Sequence, residues 1–160
     1  MRPGLLTRNW LPAILWAVVI SLASTDTFSA SHTSRFILPF LHRLLPYASE
    51  ETLDRLHFII RKVGHFTEYF IFGVILFRSI RGQRGGWSLK WAVLALAIAA
   101  GYSALDEFHQ FFVPSRTASP WDSLLDTVGA AIAQVVTWLW VRLASTRLGG
   151  GAANSEITPD

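Results

Sequence analysis

At 160 residues the chain has the length of one domain. Apolar residues make up 51% and charged residues 16%, against about a quarter charged in soluble domains, and the apolar residues come in blocks rather than along one helix face, so the chain reads as a membrane protein. The absence of Cys excludes a disulfide framework and a thiolate metal site. The formal charge of +3 comes from Arg and Lys at the ends of apolar blocks, and no RRM, zinc-finger, helix-turn-helix, P-loop or GxGxxG pattern is present; nucleic acid is not an expected partner.

In chain order, a short basic start with Arg2 and Arg8 leads into the apolar block Trp10 to Ala23. Its fourteen residues cover about 21 Å as a helix against a bilayer core of about 30 Å. Weakly polar Ser24 and Thr25 extend it to a span of about 10–25. The rival reading is a cleaved signal peptide, because a basic start, an apolar run and Ser21-Leu22-Ala23 resemble one. Residues 25–49 are too apolar for a solvated loop, with Phe36, Phe40 and Leu44 among them, and Pro39 and Pro46 are expected to break them; they read as an interfacial segment. Ser49 is an N-cap candidate, with Glu50 and Glu51 in the following turn. Leu53, Leu56, His57 and Ile60 repeat at three and four, an amphipathic helix that runs into the second span, about 59–77.

The loop to Lys90 carries Arg78, Arg81 and Arg84 with no acid, and Gly82, Gly85 and Gly86 mark a turn. A third span, about 87–110, starts at the interfacial anchors Trp87 and Trp91. Pro114 and Pro120 bracket the next loop. A fourth span, about 123–141, ends near Trp138, Trp140 and Arg142. Residues 1–147 form the membrane domain, and 148–160 read as a disordered tail. The expected fold is therefore an all-α integral membrane bundle of four transmembrane helices with an amphipathic segment between the first two. The Lys/Arg bias puts both termini in the cytoplasm and loops 25–60 and 106–122 outside, in a bacterial inner membrane.

Two polar clusters interrupt the apolar blocks: Arg61, Lys62, His65, Glu68 and Tyr69 in the second span, and Asp106, Glu107, Gln110, Arg116, Asp122 and Asp126 around the last loop. From the cytoplasmic ends, His65 lies roughly 20 Å deep, Glu68 roughly 15 Å, and Asp106 and Asp126 roughly 24 Å, all at the midplane or in the outer half of the bilayer. An ionisable group there costs at least ~2.5 kcal/mol, so these residues are expected to face the interior of the bundle and find partners. Together they imply a cleft that opens outward. Glu68 with His65, and Asp122 with Asp126, lie one helical turn apart.

At these residues the sequence resembles the VanZ-like family of small bacterial membrane proteins. The family's first motif stands here as Arg61-Lys62-Val-Gly-His65-Phe-Thr-Glu68-Tyr69. The second is Asp106-Glu107-Phe-His-Gln110 followed by Val-Pro-Ser-Arg116, and the third is Asp122-Ser-Leu-Leu-Asp126-Thr-Val-Gly129. The motifs occur in family order over about Pro39 to Trp140. Two positions depart: Ser115 stands where the family commonly has Gly, and Asp126 where it commonly has Asn. The founding member of the family is linked with resistance to the glycopeptide antibiotic teicoplanin. The resemblance implies an envelope-related membrane protein whose partners are membrane lipids and a lipid-linked cell-wall precursor or glycopeptide; it supplies no reaction and no cofactor.

Several roles suit the clustered residues. His65, Glu68, Asp106 and Glu107 are the candidates for general acid–base work, or for a His-carboxylate metal site, although their spacing matches no metal motif. Lys62, Tyr69, Gln110, Arg116 and Asp122 are the candidates for substrate binding, with Lys62 and Arg116 as an anion clamp. A proton-coupled carrier would use Glu68 and His65 as its titrating pair. A purely structural brace would pair the same Arg and Lys with Asp and Glu. Asp122 doubles as an N-cap candidate for the last span. Gly73, Gly101 and Gly129 are expected to allow close approach of helices, and His57 and His109 read as packing or interfacial residues.

Overall fold

The protein is described here from a computed structural model covering residues 3–25, 29–112 and 118–152, with side chains placed for 8–25, 29–30, 32–112 and 118–146. Among the described residues there are five helices and no strand: α1 (Pro3–Ala23), α2 (Ala30–Leu44), α3 (Glu50–Arg81), α4 (Leu89–Gln110) and α5 (Pro120–Ala152). Three of them, α3, α4 and Pro120–Thr146 of α5, are long and apolar enough to cross a membrane; Arg8–Ala23 of α1 is a shorter apolar helix.

The helix boundaries follow local chemistry. The Ser49 side chain accepts the Thr52 N–H at the start of α3, as expected for its N-cap, and Gly82 ends that helix at φ 60, a backbone conformation that only glycine adopts without strain. Pro120 opens α5, where its missing N–H costs nothing. Pro39 behaves differently from expectation, whereas Pro12 lies inside the block read as a span. The helix α2 runs through Pro39 rather than breaking there, and α1 runs through Pro12. Each proline frees the carbonyl four residues back, that of Arg35 or of Arg8, and both of those residues are exposed, so the freed oxygen is not buried. The expected tail from 148 onward falls on α5 up to Ala152 and then lies outside the described residues.

Helix α3 is the hub and packs against each of the other four. At 32 residues it is about 48 Å long, so it outlasts a bilayer core of about 30 Å. Its N-terminal turns are the amphipathic segment read from the sequence, now continuous with the span. The α3–α5 crossing is built on small residues. A Cβ at Gly129 would stand 2.6 Å from the Phe66 carbonyl oxygen, and one at Gly73 would stand 3.0 Å from the Ala133 Cβ. These two glycines do allow close approach. Gly101 does not: it faces open space with nothing within 4 Å. On α4 the small face is Ala92, Ala95 and Ala99, spaced at three and four and fully or nearly fully buried. Tyr69, Phe72 and Leu76 of α3 fill the centre. The outward faces of all four apolar helices expose large aliphatic and aromatic side chains, such as Leu15, Val63, Leu94 and Val135.

Helix α1 is tied in by polar bonds as well as packing. Trp16 Nε1 donates to the Glu68 carbonyl at 3.0 Å, and Tyr102 donates to the Ala17 carbonyl at 2.8 Å. Ser79 donates to the Asn9 carbonyl at 2.8 Å. At the other face of α3, buried Gln134 of α5 donates to the Gly73 carbonyl at 3.1 Å.

Candidate functional site

The two polar clusters converge at one end of the bundle, but they sort into three separate settings. The first is a groove of about 700 Å³ between the start of α2, the N-terminal half of α3 and the start of α5. Its polar lining is Asp54, His57, Arg61, Lys62, His65 and Asp122, and Phe58, Trp121 and Leu125 supply apolar walls. The spacing of four along α3 puts His57, Arg61 and His65 on one stripe. Lys62 forms an ion pair with Asp122 and lies over the Phe58 ring, 4.9 Å from its centroid. Arg61 has a buried Nη1 with no hydrogen-bond partner. Buried His57 meets Thr33 of α2 at 3.2 Å, which ties the amphipathic helix to the groove wall. Asp122 is not an N-cap: it is the third residue of α5, inside the first turn, and its carboxylate is used across the bundle by Lys62.

The second setting lies at the floor of this groove. His65 Nδ1 stands 3.5 Å from Asp126 Oδ1, too long for a direct hydrogen bond, and neither atom has another hydrogen-bond partner. The other Asp126 oxygen accepts the Ser103 hydroxyl of α4 at 2.8 Å, and Asp126 is 1% exposed. Ser103 also reaches Ser123 at 3.1 Å. Tyr69 is fully buried in the core beside this group and does not line this groove. Glu68 is half-buried one turn along from His65 and does not line the groove, and the contact His65 makes across the bundle is with Asp126.

The third setting is a closed polar knot with α1. Asp106 Oδ2 accepts the Ser24 hydroxyl at 2.6 Å and the Gln110 amide at 2.9 Å, and all three residues are buried. Asp106 and Gln110 therefore brace α4 against the end of α1 and do not reach the groove beside Arg61. Glu107, the next residue along, points elsewhere. It lines a second groove of about 690 Å³ between α4 and α5, with Phe108, Phe111 and Ser123. One of its oxygens accepts the Ser119 N–H at 2.8 Å, and the other is buried without a hydrogen-bond partner. Arg116 lies outside the described residues. His109 is exposed.

Among the described residues no group of three or more His, Asp or Glu is arranged to hold a metal ion. The His-carboxylate grouping considered from the sequence is thus divided: His65 faces Asp126, Asp106 faces α1, and Glu107 faces the second groove.

Sequence reasoning missed the small polar partners. Ser24 entered it only as an extension of the first span, and Ser103 and Gln134 did not enter it. A signal for two of them was present. Ser103 sits three residues before Asp106 on one helical face, and Gln134 is a lone amide inside an apolar block, where an unpaired polar group is costly.

A family model described as VanZ/LLP1 matches residues 9–141. That range runs from within α1 into the membrane-length part of α5 and includes all three settings. No curated protein and no solved structure matches the chain.

Proposed function

The chain belongs to the VanZ/LLP1 family, and from that premise we propose that it is a four-span protein of the bacterial inner membrane, with both termini cytoplasmic, that binds the anionic head of a lipid-linked cell-wall component in the groove beside Arg61. Four spans are supported by the way α1, at 21 residues about 31 Å long, bonds to α3 and α4 along its length. The orientation rests on the basic, acid-free segment 78–90 between α3 and α4.

Arg61 carries the reading. A guanidinium with a buried, unpartnered N–H is costly unless something accepts from it, and its planar fork suits a phosphate. Lys62, held by Asp122, and His57 and His65 stand in the same groove. Phe58, Trp121 and Leu125 offer apolar surface to the lipid part of the ligand. The outer half of α3 is where a headgroup of the outer leaflet would meet these side chains. Should a proton move, His65, backed by Asp126, is the group placed in this groove, whereas Glu107 serves the neighbouring one. In a cell, such binding would be read as altered susceptibility to teicoplanin.

The test is equilibrium binding of a short-chain polyprenyl phosphate, against the neutral polyprenol, to the full chain in nanodiscs. The phosphate is expected to bind and the alcohol not to, and Arg61→Gln should weaken the phosphate at least about tenfold, the value of hydrogen bonds to a charged group. Equal binding of phosphate and alcohol, or an unchanged affinity for the Arg61→Gln protein, would overturn the reading. The buried His65–Asp126 pair favours one second reading, a proton-coupled carrier. Acidification of proteoliposomes on uptake of the same phosphate would support that reading over simple binding.

A further inference from the structure

At the opposite end of α3 and α5 lies a groove that takes no part in the site above. Its walls are Phe70, Val74 and Phe77 of α3 facing Val136 and Trp140 of α5, and Arg78 and Arg81 stand at its end. We propose that this groove holds an anionic phospholipid of the leaflet on that side, with an acyl chain along the apolar walls and the phosphate between Arg78 and Arg81.

Shape and charge agree on that occupant. From Phe70 to Arg81 the groove follows α3 for about 16 Å, the scale of an acyl chain lying along the bilayer normal. Its volume of about 490 Å³ falls in the ~300–1,000 Å³ range of small-molecule sites. The polarity is graded, apolar toward the middle of the bundle and cationic at the tip, as in a lipid. Among the described residues neither arginine enters an ion pair, and Arg81 Nε is buried without a hydrogen-bond partner. The sequence offers no local acid: none occurs in α3 after Glu68, in α4 before Asp106, or in α5 after Asp126. Nearby cations are otherwise engaged. Arg142 lies over the Trp138 ring at 4.9 Å and Arg84 over Trp91 at 5.5 Å. Arg78 and Arg81 are thus the two arginines on the groove, and a phosphate is the acceptor that a lipid surface provides to a basic pocket between spans.

Native mass spectrometry of the full chain, with phosphatidylglycerol or phosphatidylcholine of identical acyl chains added, tests this. The phosphatidylglycerol adduct is expected to persist at collision energies that strip phosphatidylcholine. Arg78→Gln and Arg81→Gln should each weaken it about fivefold, the worth of one basic residue at a lipid surface. Val74→Trp, which fills the groove and keeps both charges, should remove the adduct as well. Arg84→Gln, at the same end but outside the groove, should leave it intact. Equal retention of the two lipids, or an Arg84→Gln effect as large as that of Arg81→Gln, would overturn the proposal in favour of diffuse surface charge. A dimer peak in place of lipid adducts would overturn it in favour of a second copy of the chain. Circular dichroism of each variant separates loss of the site from loss of the fold.

Discussion

His65 of α3 and Asp126 of α5 meet next to the crossing where Gly129 admits the Phe66 backbone, with Nδ1 3.5 Å from Oδ1. The Asp126 carboxylate is almost fully buried and bonded on its other oxygen to Ser103. The pair links the groove floor to the crossing that holds α3 and α5 together. Asp126→Asn keeps an acceptor for Ser103 and puts an amide toward His65, so its stability should stay within about 1 kcal/mol of the natural chain. Asp126→Ala strands both partners and should cost about 1–3 kcal/mol. Unfolding in mixed detergent micelles measures both. A loss for Asn as large as that for Ala would show that the charge, rather than the hydrogen bond, holds the crossing.

Lys62 and Asp122 form the other link across α3 and α5, at the groove wall. The lysine side chain is 29% exposed and the aspartate 11%, so the aspartate is the costlier group to strand. Lys62→Met is expected to lose about 1–3 kcal/mol, and Lys62→Met with Asp122→Leu should recover most of it. A double-mutant cycle by the same unfolding assay reads the coupling, expected between about 0.5 and 3 kcal/mol. Additive losses would mean that the pair is not energetically joined.

Gly129 and Gly101 should respond oppositely to alanine. A methyl group at Gly129 collides with the Phe66 carbonyl, and backbone cannot move aside as a flexible side chain can. Gly129→Ala is expected to cost about 1–3 kcal/mol, in the range of overpacked cores. Gly101→Ala meets nothing, and should be neutral or stabilising because alanine favours helix. Thermal unfolding of the two variants in nanodiscs compares them directly; equal destabilisation would contradict the packing described for α3 and α5.

Glu107 is the carboxylate whose loss should not destabilise. Glutamine keeps an oxygen for the Ser119 N–H and replaces a buried, unpartnered carboxylate oxygen with a neutral group. Glu107→Gln should melt at or above the temperature of the natural chain, the pattern of a charge retained for a purpose other than stability. A drop of several degrees would make Glu107 a brace like Asp106.

Much of the scaffold was legible in the sequence because each part depends on near neighbours. Apolar blocks, the Ser49 cap, the Gly82 stop and the continuity of the amphipathic segment with the span all follow from local propensity and periodicity. The approach of helices at Gly73 and Gly129 was readable for the same reason. Pro39 was misread because the helix tolerates it on an exposed face, with exposed Arg35 four residues back, and which face it occupies is set by the packing of α2.

The sequence by itself determined the helices and that its ionisable groups gather toward one end of the bundle, since burying them in lipid without partners is too costly. It could not determine which partner each would take. Asp106 and Glu107 are adjacent in the chain, yet lie about 100° apart around the helix; one faces Ser24, just after α1, and the other Ser119, ahead of α5. His65 has Glu68 one turn away and faces Asp126 from a different helix. Only the packing of α1, α4 and α5 around α3 decides those pairings, because hydrogen bonds and ion pairs act over a few ångströms while the residues that make them lie from 12 to 82 positions apart along the chain.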